Sequence, residues 1–522
     1  MNKRLLRCLG VCILLSGVAT SCSGGSTSNG GNGGDNITSD EYLGSTKYDC
    51  DVVLPSDDPS SQVEINFWHC LGHDKENNLN KIVETFNTKY AGKYKVTLTK
   101  LAGDYDSLHS AVKTKLAAGE KPSICMGYPD SFAEYLGDID DSQIYRLNNL
   151  VSDPNVGFTD AEKSDFVSQY YLEGMNYQVG GLWSLPMYKS TEVMYYNENY
   201  FRGDNLPNQK KFKENSTYNT LRAAVTAGGS NPTEESLKAL EDFCKTNGGY
   251  TYSVPTTWKD MVSLATLMKA DCATEGVSEE FYPLGYDSDS NLMISQLAQN
   301  DIAYTDSSKS GSDMIEFNNA DAKNLATTIT DLIKDKLMIT KGSLGGSKYT
   351  SNYFNVGSLA MSVGSTGGSS YQISSSFKVS LAPVPYSNNN AKYIMQGPSV
   401  CFFNNSNDYE AKGAFLFYKE LSDPQANADL ALENSYDPIR ISSYDTTSYK
   451  NWLSHKGEGL SYDIPAITAT LKNSYMTSDV FVGSSTARDE IGNVLAYVVN
   501  NNMTVDQAFD LAYKNTLKAL AD

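Results

Sequence analysis

Residues 63–69, Val63-Glu64-Ile65-Asn66-Phe67-Trp68-His69, place apolar Val63, Ile65 and Phe67 alternately with other side chains, the period of a half-buried strand. Leu79, Ile82, Val83 and Phe86 follow at helical spacing, and Tyr94, Val96 and Leu98 alternate again. Leu108, Ala111, Val112 and Leu116 form a second helical stripe, stopped by Gly119 and Pro122. Ser123–Met126 is a short apolar run that reads as a buried strand. Strand, helix, strand, helix, strand is the order of an α/β sheet.

The rest of the chain continues in that style. Glu192–Tyr196 and Leu359–Val363 read as strands, and Trp258–Lys269 and Ala411–Leu421 as helices. A last helix opens with a capping box at Thr504 and Gln507. Residues 202–255 are polar and Lys-rich, with a short helix expected after Thr233, and read as a surface insertion. At 522 residues the chain is long enough for two to four domains, or one fold with two large lobes.

Sixty-two acidic against 42 basic residues give a net charge of −20. That balance argues against nucleic acid, whose binding is driven by Lys and Arg displacing counterions, and against a basic face docking on anionic lipid. The chain carries 35 Tyr beside 4 Trp. Tyrosine offers a flat apolar face with a polar tip, useful in wet clefts.

The N-terminus combines Lys3, Arg4 and Arg7 with an apolar run from Leu9 to Val18 and small residues before Cys22. This is the pattern of a secretory signal peptide, too short to span a membrane. Ala19-Thr20-Ser21-Cys22 resembles a bacterial lipobox, which implies a leader over 1–21 and a lipid on Cys22. Losing the leader's three cations takes the net charge to −23. Residues 22–60 begin with a Gly/Ser/Asn-rich run and read as a flexible tether. Six further cysteines, Cys50, Cys70, Cys125, Cys244, Cys272 and Cys401, permit up to three disulfides or stand as buried thiols.

The sequence motifs of common enzymes are missing: no H-E-x-x-H, G-x-S-x-G, Walker or G-x-G-x-x-G pattern occurs. His69, Cys70 and His73 do not have the spacing of a standard zinc site, and neither a metal nor a cofactor is expected. The run Gly364-Ser365-Thr366-Gly367-Gly368-Ser369-Ser370 follows a strand and could cradle a polar ligand with backbone N–H groups and hydroxyls. Arg488 falls in the first turn of a helix expected to be capped by Ser484, Ser485 or Thr486. A cation at that end of the dipole is unfavourable, and an anionic or hydroxyl-rich ligand would account for it.

Several stretches together resemble the extracellular solute-binding protein family 1 of bacterial ABC importers. They are residues 65–69, 82–87, Gly103-Asp104-Tyr105-Asp106, Ala117-Ala118-Gly119-Glu120-Lys121-Pro122, Leu185-Pro186-Met187-Tyr188-Lys189-Ser190-Thr191, Tyr195-Tyr196-Asn197, Ala360-Met361, Ser365-Thr366-Gly367, Gln396-Gly397, Tyr436-Asp437-Pro438 and Arg488. The likeness covers about Val63 to Ala521, apart from the insertion over 202–255, and is to the glycerol-3-phosphate-binding branch, which shares its fold with maltose-type binders. It implies an α/β, two-lobed periplasmic-binding-protein-like fold (type II) with a hinge-closing cleft over 61–522. The expected lobes are 61–170 plus 360–405, and 171–359 plus 406–522.

The resemblance also implies a role: capture of an oligosaccharide, sugar or polyol phosphate, delivered to permease subunits by a monomer anchored outside the cytoplasmic membrane. On the family pattern Tyr105, Ser190, Ser365, Gly397, Tyr436 and Arg488 would meet the ligand, with Trp68, Tyr128 and Asp130 as further candidates. Pro129 stands near the place of a carboxylate in the glycerophosphate branch, with Asp130 beside it, and Lys189 replaces a small polar residue. Both departures point away from glycerol-3-phosphate and towards a carbohydrate. The sequence also allows two other readings: a secreted carbohydrate-active enzyme, and a surface adhesin using the same tyrosines. Trp183 and Trp258 are expected to pack in cores.

Overall fold

The structure is a computed structural model describing residues 50–521, except 73–74, 102 and 138–141. The expected leader, Cys22, most of the tether and His73 lie outside the described residues.

Two sheets organise the chain. The first holds β1 (Val63–His69), β2 (Tyr94–Lys100), β3 (Ile124–Gly127), β4 (Leu185–Pro186) and β11 (Ser399–Phe402), in the order β2-β1-β3-β11-β4. β2 and β3 run parallel to β1, while β11 is antiparallel to both β3 and β4. The second holds β5 (Ser190–Asn197), β6 (Tyr282–Tyr286), β7 (Met338–Thr340), β8 (Leu359–Ser365), β9 (Val379–Pro383), β10 (Tyr393–Gln396) and β12 (Tyr475–Met476). Its order is β12-β10-β5-β8-β6-β7, with β9 also paired to β5.

The helical stripes read from the sequence form helices at Asn77–Lys89 and Tyr105–Ala117, with Leu79, Ile82, Phe86, Leu108 and Val112 buried. Phe86 and Phe67 both meet Phe417 from helix Asp408–Leu421, at ring distances of 5.5 and 5.9 Å. Helices cover these strands, and the short apolar run of β3 is buried at every residue. The last helix, Val505–Ala519, has the expected capping box.

Each sheet has its own core. One gathers buried residues from Cys50 to Tyr188, then Met395 to Ile439, with Val480; the other takes Val193 to Ile394 and Leu460 to Ala512. The chain therefore crosses between cores near 188–193, 394–400 and between Ile439 and Leu460. This differs from the expected lobes. Residues 360–394 belong with the second sheet, and helices Asp408–Leu421 and Pro424–Glu433 belong with the first. Residues 171–188 also stay with the first core. The sequence shows apolar periodicity but not which sheet a strand joins, so the crossing points were misplaced.

Residues 202–255 contain helices Leu206–Lys211, Ser216–Ala227 and Glu234–Thr246, the last capped by Thr233. They enclose a small separate core of Phe212, Tyr218, Val225, Leu237, Leu240 and Cys244. All six described cysteines are free thiols, although Cys125 and Cys401 face each other across β3 and β11. Among the described residues no helix is long and apolar enough to cross a membrane.

Candidate functional site

An open cleft of about 490 Å³ runs along the C-terminal ends of strands from both sheets. From the first sheet's side come Asp104, Tyr105 and Asp106 after β2, and Tyr128 and Asp130 after β3. The second contributes Glu192, Asp287, Asp289, Asn291, Lys341, Ser365, Gln396, Arg488 and Asp489. Crevices beyond the carboxyl ends of strands are where open α/β sheets leave room for ligands.

Local sequence sets these positions. Asp104 caps helix Tyr105–Ala117 by accepting from Ser107 N, which stands Tyr105 on the first helical turn. Pro129 opens helix Pro129–Leu136 at N1, where its missing N–H costs nothing, leaving Tyr128 at the N-cap facing the cleft. The two rings lie 4.7 Å apart at 45° and form an apolar wall with hydroxyl tips.

On the opposite wall a polar network starts at Glu192, only 3% exposed. Tyr286 Oη donates to it at 2.6 Å and Asn291 Nδ2 at 2.7 Å. Asn291 Nδ2 also reaches Gln396 Oε1 at 2.9 Å, and Arg488 donates to Asn291 Oδ1. Burial pushes the Glu192 carboxyl up to about 7, against the opposing pull of the Tyr286 and Asn291 hydrogen bonds. Burial and the nearby Asp106 charge carry Asp489 to about 6, and burial also raises Asp130, Asp287 and Asp289. The network fixes Arg488 and Gln396 as directional hydrogen-bonding groups on the cleft surface.

The nine expected ligand residues are placed as follows. Tyr105, Tyr128, Asp130, Ser365 and Arg488 line this cleft. Tyr436 lies behind it, 4.5 Å from the ring of Tyr188, and a Cβ on Gly367 would come 2.5 Å from its ring. Ser190 is buried and pairs with Gln396 where the chain passes between cores. Gly397, at φ +96°, turns the chain back at the same place. Trp68 is buried in the first core with the Lys115 ammonium 5.3 Å from its ring. Trp183 and Trp258 are buried as expected.

Other details depart from expectation. Gly483, at φ +91°, is the N-cap of helix Ser484–Asn500, which has no side-chain cap; Ser484 Oγ instead accepts from Phe481 N. Arg488 is held by a group of the chain itself, Asn291 Oδ1, to which it donates. The glycine-rich run after β8 forms a 3₁₀ helix, Thr366–Tyr371, whose Gly367 carbonyl accepts from Lys75 Nζ at 3.1 Å. His69 turns inward, its Nδ1 accepting from Leu71 N at 3.3 Å. Sequence reasoning missed Glu192, Asn291, Asp287 and Asp289. A carboxylate immediately before the apolar run Val193–Tyr196 of β5 was the available signal for Glu192.

Residues 81–456 match the family described as bacterial extracellular solute-binding protein. The sn-glycerol-3-phosphate-binding periplasmic protein UgpB of Pectobacterium atrosepticum is 26% identical over 200 residues, 38% of this chain and 43% of that protein. The chain thus spans less than half the length of that curated relative. UgpB from Mycobacterium tuberculosis, solved with glycerophosphocholine, superposes with a TM-score of 0.64 at 15% identity, covering 88% of this chain and 98% of that one. The GacH receptor of Streptomyces glaucescens, solved unliganded and with acarbose, gives 0.61 at 15% identity over 89% and 100% of the two chains. At that identity the likeness is one of fold: two α/β lobes with a cleft between them. These relatives are solute-binding proteins, not enzymes.

Proposed function

Since the chain belongs to the bacterial extracellular solute-binding proteins, we propose that it captures a carbohydrate in the interlobe cleft and passes it to the permease of an ABC importer. The lobes of this reading follow the two cores, with residues 202–255 as an appended helical unit. A lipid on Cys22 holds the body at the outer face of the cytoplasmic membrane, and the molecule works as a monomer.

The observation that carries the reading is the pairing of two unlike walls across one cleft. Tyr105 and Tyr128 offer flat faces suited to sugar C–H surfaces. Ser365, Gln396 and Arg488 offer donors and acceptors at fixed positions opposite. Ligands of this kind are buried as hinged lobes close. Tyr436, Ser190 and Gly397 serve the same event from behind the cleft, by seating the aromatic wall and forming the turn between cores. Isothermal titration of the ligand-stripped protein against neutral and substituted oligosaccharides tests the reading. Saturable one-to-one binding to at least one of them is expected, and binding to none would refute it.

A further inference from the structure

Seven carboxylates line the cleft: Asp104, Asp106, Asp130, Glu192, Asp287, Asp289 and Asp489. Two cations face them, Lys341 and Arg488, and both are already engaged. Lys341 Nζ donates to Tyr349 Oη at 3.1 Å, and Arg488 donates to Asn291. The single Arg488 charge is moreover felt by Asp130, Glu192 and Asp489 together.

Two of the backbone positions able to hold an anion, at the starts of helices Tyr105–Ala117 and Asp289–Gln299, are also taken. Asp104 accepts from Ser107 N at the start of helix Tyr105–Ala117. Ser288 Oγ accepts from Asn291 N at the start of helix Asp289–Gln299, and Asp289 adds its own charge to that first turn. Asp289 in turn accepts from Thr340 Oγ1 at 2.6 Å and Gly342 N at 2.7 Å. The chain's own oxygens thus stand where a phosphate would need N–H groups. Helix Ser484–Asn500 has no side-chain cap, but Asp489 lies beside Arg488 near its start.

We infer that the cleft takes a polyhydroxylated ligand bearing no phosphate or carboxylate, either uncharged or carrying an amine, and excludes the phosphorylated ligands suggested by its curated relatives. A cleft lined by one sign of charge repels ligands of that sign and concentrates the opposite one. Burial raises the carboxyls of Glu192 and Asp489 most, and the neighbouring Asp287 and Asp106 charges add to the same direction. Sugar hydroxyls donate to carboxylates without adding charge, and an amine would offset part of the surplus.

This inference rests on the carbohydrate reading, and one experiment separates the two. Titration calorimetry of the full chain uses neutral oligosaccharides, their amino-sugar and phosphorylated counterparts, and sn-glycerol 3-phosphate, at low and high salt. Neutral or amine-bearing members are expected to bind at least about 100-fold more tightly than the phosphorylated counterpart, with the gap narrowing at high salt. A phosphorylated compound binding as tightly as its parent overturns the inference and leaves the carbohydrate reading intact. Failure of every saccharide, charged or not, overturns both.

Discussion

Lys189 Nζ donates to the carbonyl of Gly397 at 3.1 Å, so two of the segments joining the lobes are tied by one buried cation. The same ammonium donates to Ser399 Oγ at 3.0 Å and pairs with Glu173. Its backbone N–H donates to the Asp437 carbonyl at 3.0 Å, bringing in a third stretch of chain near the hinge. Lys189 is fully buried. The residue that departs from the family pattern is therefore a fastening at the hinge and not a ligand contact.

Replacing Lys189 with Met should destabilise the protein by about 3–5 kcal/mol, because it strands the Glu173 carboxylate in a buried site. The K189M/E173Q double variant should recover much of the loss. Urea unfolding of the four members of the cycle measures this; additive losses would show that the two residues are not coupled.

Arg488→Ala and Tyr105→Ala should each weaken ligand binding by about 10–100-fold, one by removing a directional donor and the other an aromatic face. Calorimetry on each variant reads the loss. Circular dichroism should show an unchanged fold, since both side chains line the cleft and neither belongs to a fully buried core.

Gly367→Ala should displace Tyr436, because the new Cβ would come 2.5 Å from that ring. About tenfold weaker ligand binding is expected, close to 1.4 kcal/mol. If Tyr436 transmits the effect, Y436A and Y436A/G367A should bind alike; a further loss in the double variant would place the defect elsewhere.

Stability should fall as pH rises from about 4.5 to 7. Glu192 titrates near 7 when folded, so the folded state holds a proton there that the unfolded chain has released. The loss is at most about 3 kcal/mol and is complete above pH 7. Glu134 acts oppositely in a lower window. Burial raises its pKa, but hydrogen bonds with His109 and Lys113 outweigh this and hold it near 2, so its contribution disappears below about pH 4.5. The melting temperature should peak near pH 5, and E192Q should flatten the alkaline limb; an unchanged slope in E192Q would assign it to other groups.

Much of the fold was legible because its strands and helices carry clean periods. Ile65 and Phe67, or Leu79, Ile82 and Phe86, bury the very positions their spacing indicates. The assignment of segments to lobes was not legible, since β10 and β11 lie three residues apart yet join different sheets. The cleft accounts for only part of the tyrosine excess. Many rings are core residues whose hydroxyls reach backbone carbonyls, as Tyr418 to Pro186 at 2.7 Å and Tyr195 to Ser365 at 2.9 Å. Tyr105, Tyr128 and Arg488 could be found from local motifs. Glu192 and Asn291, 99 residues apart, become neighbours only through the second sheet and the helix packed beside it.

The central claim is that a saccharide closes two lobes about the Tyr105/Tyr128 wall and the Arg488 network. Small-angle X-ray scattering of the protein with and without its best-binding saccharide tests this most directly, with R488A as control. Lobe closure predicts a smaller radius of gyration on saturation, with less of that contraction in R488A at the same ligand concentration. Saturable binding with an unchanged radius would contradict it.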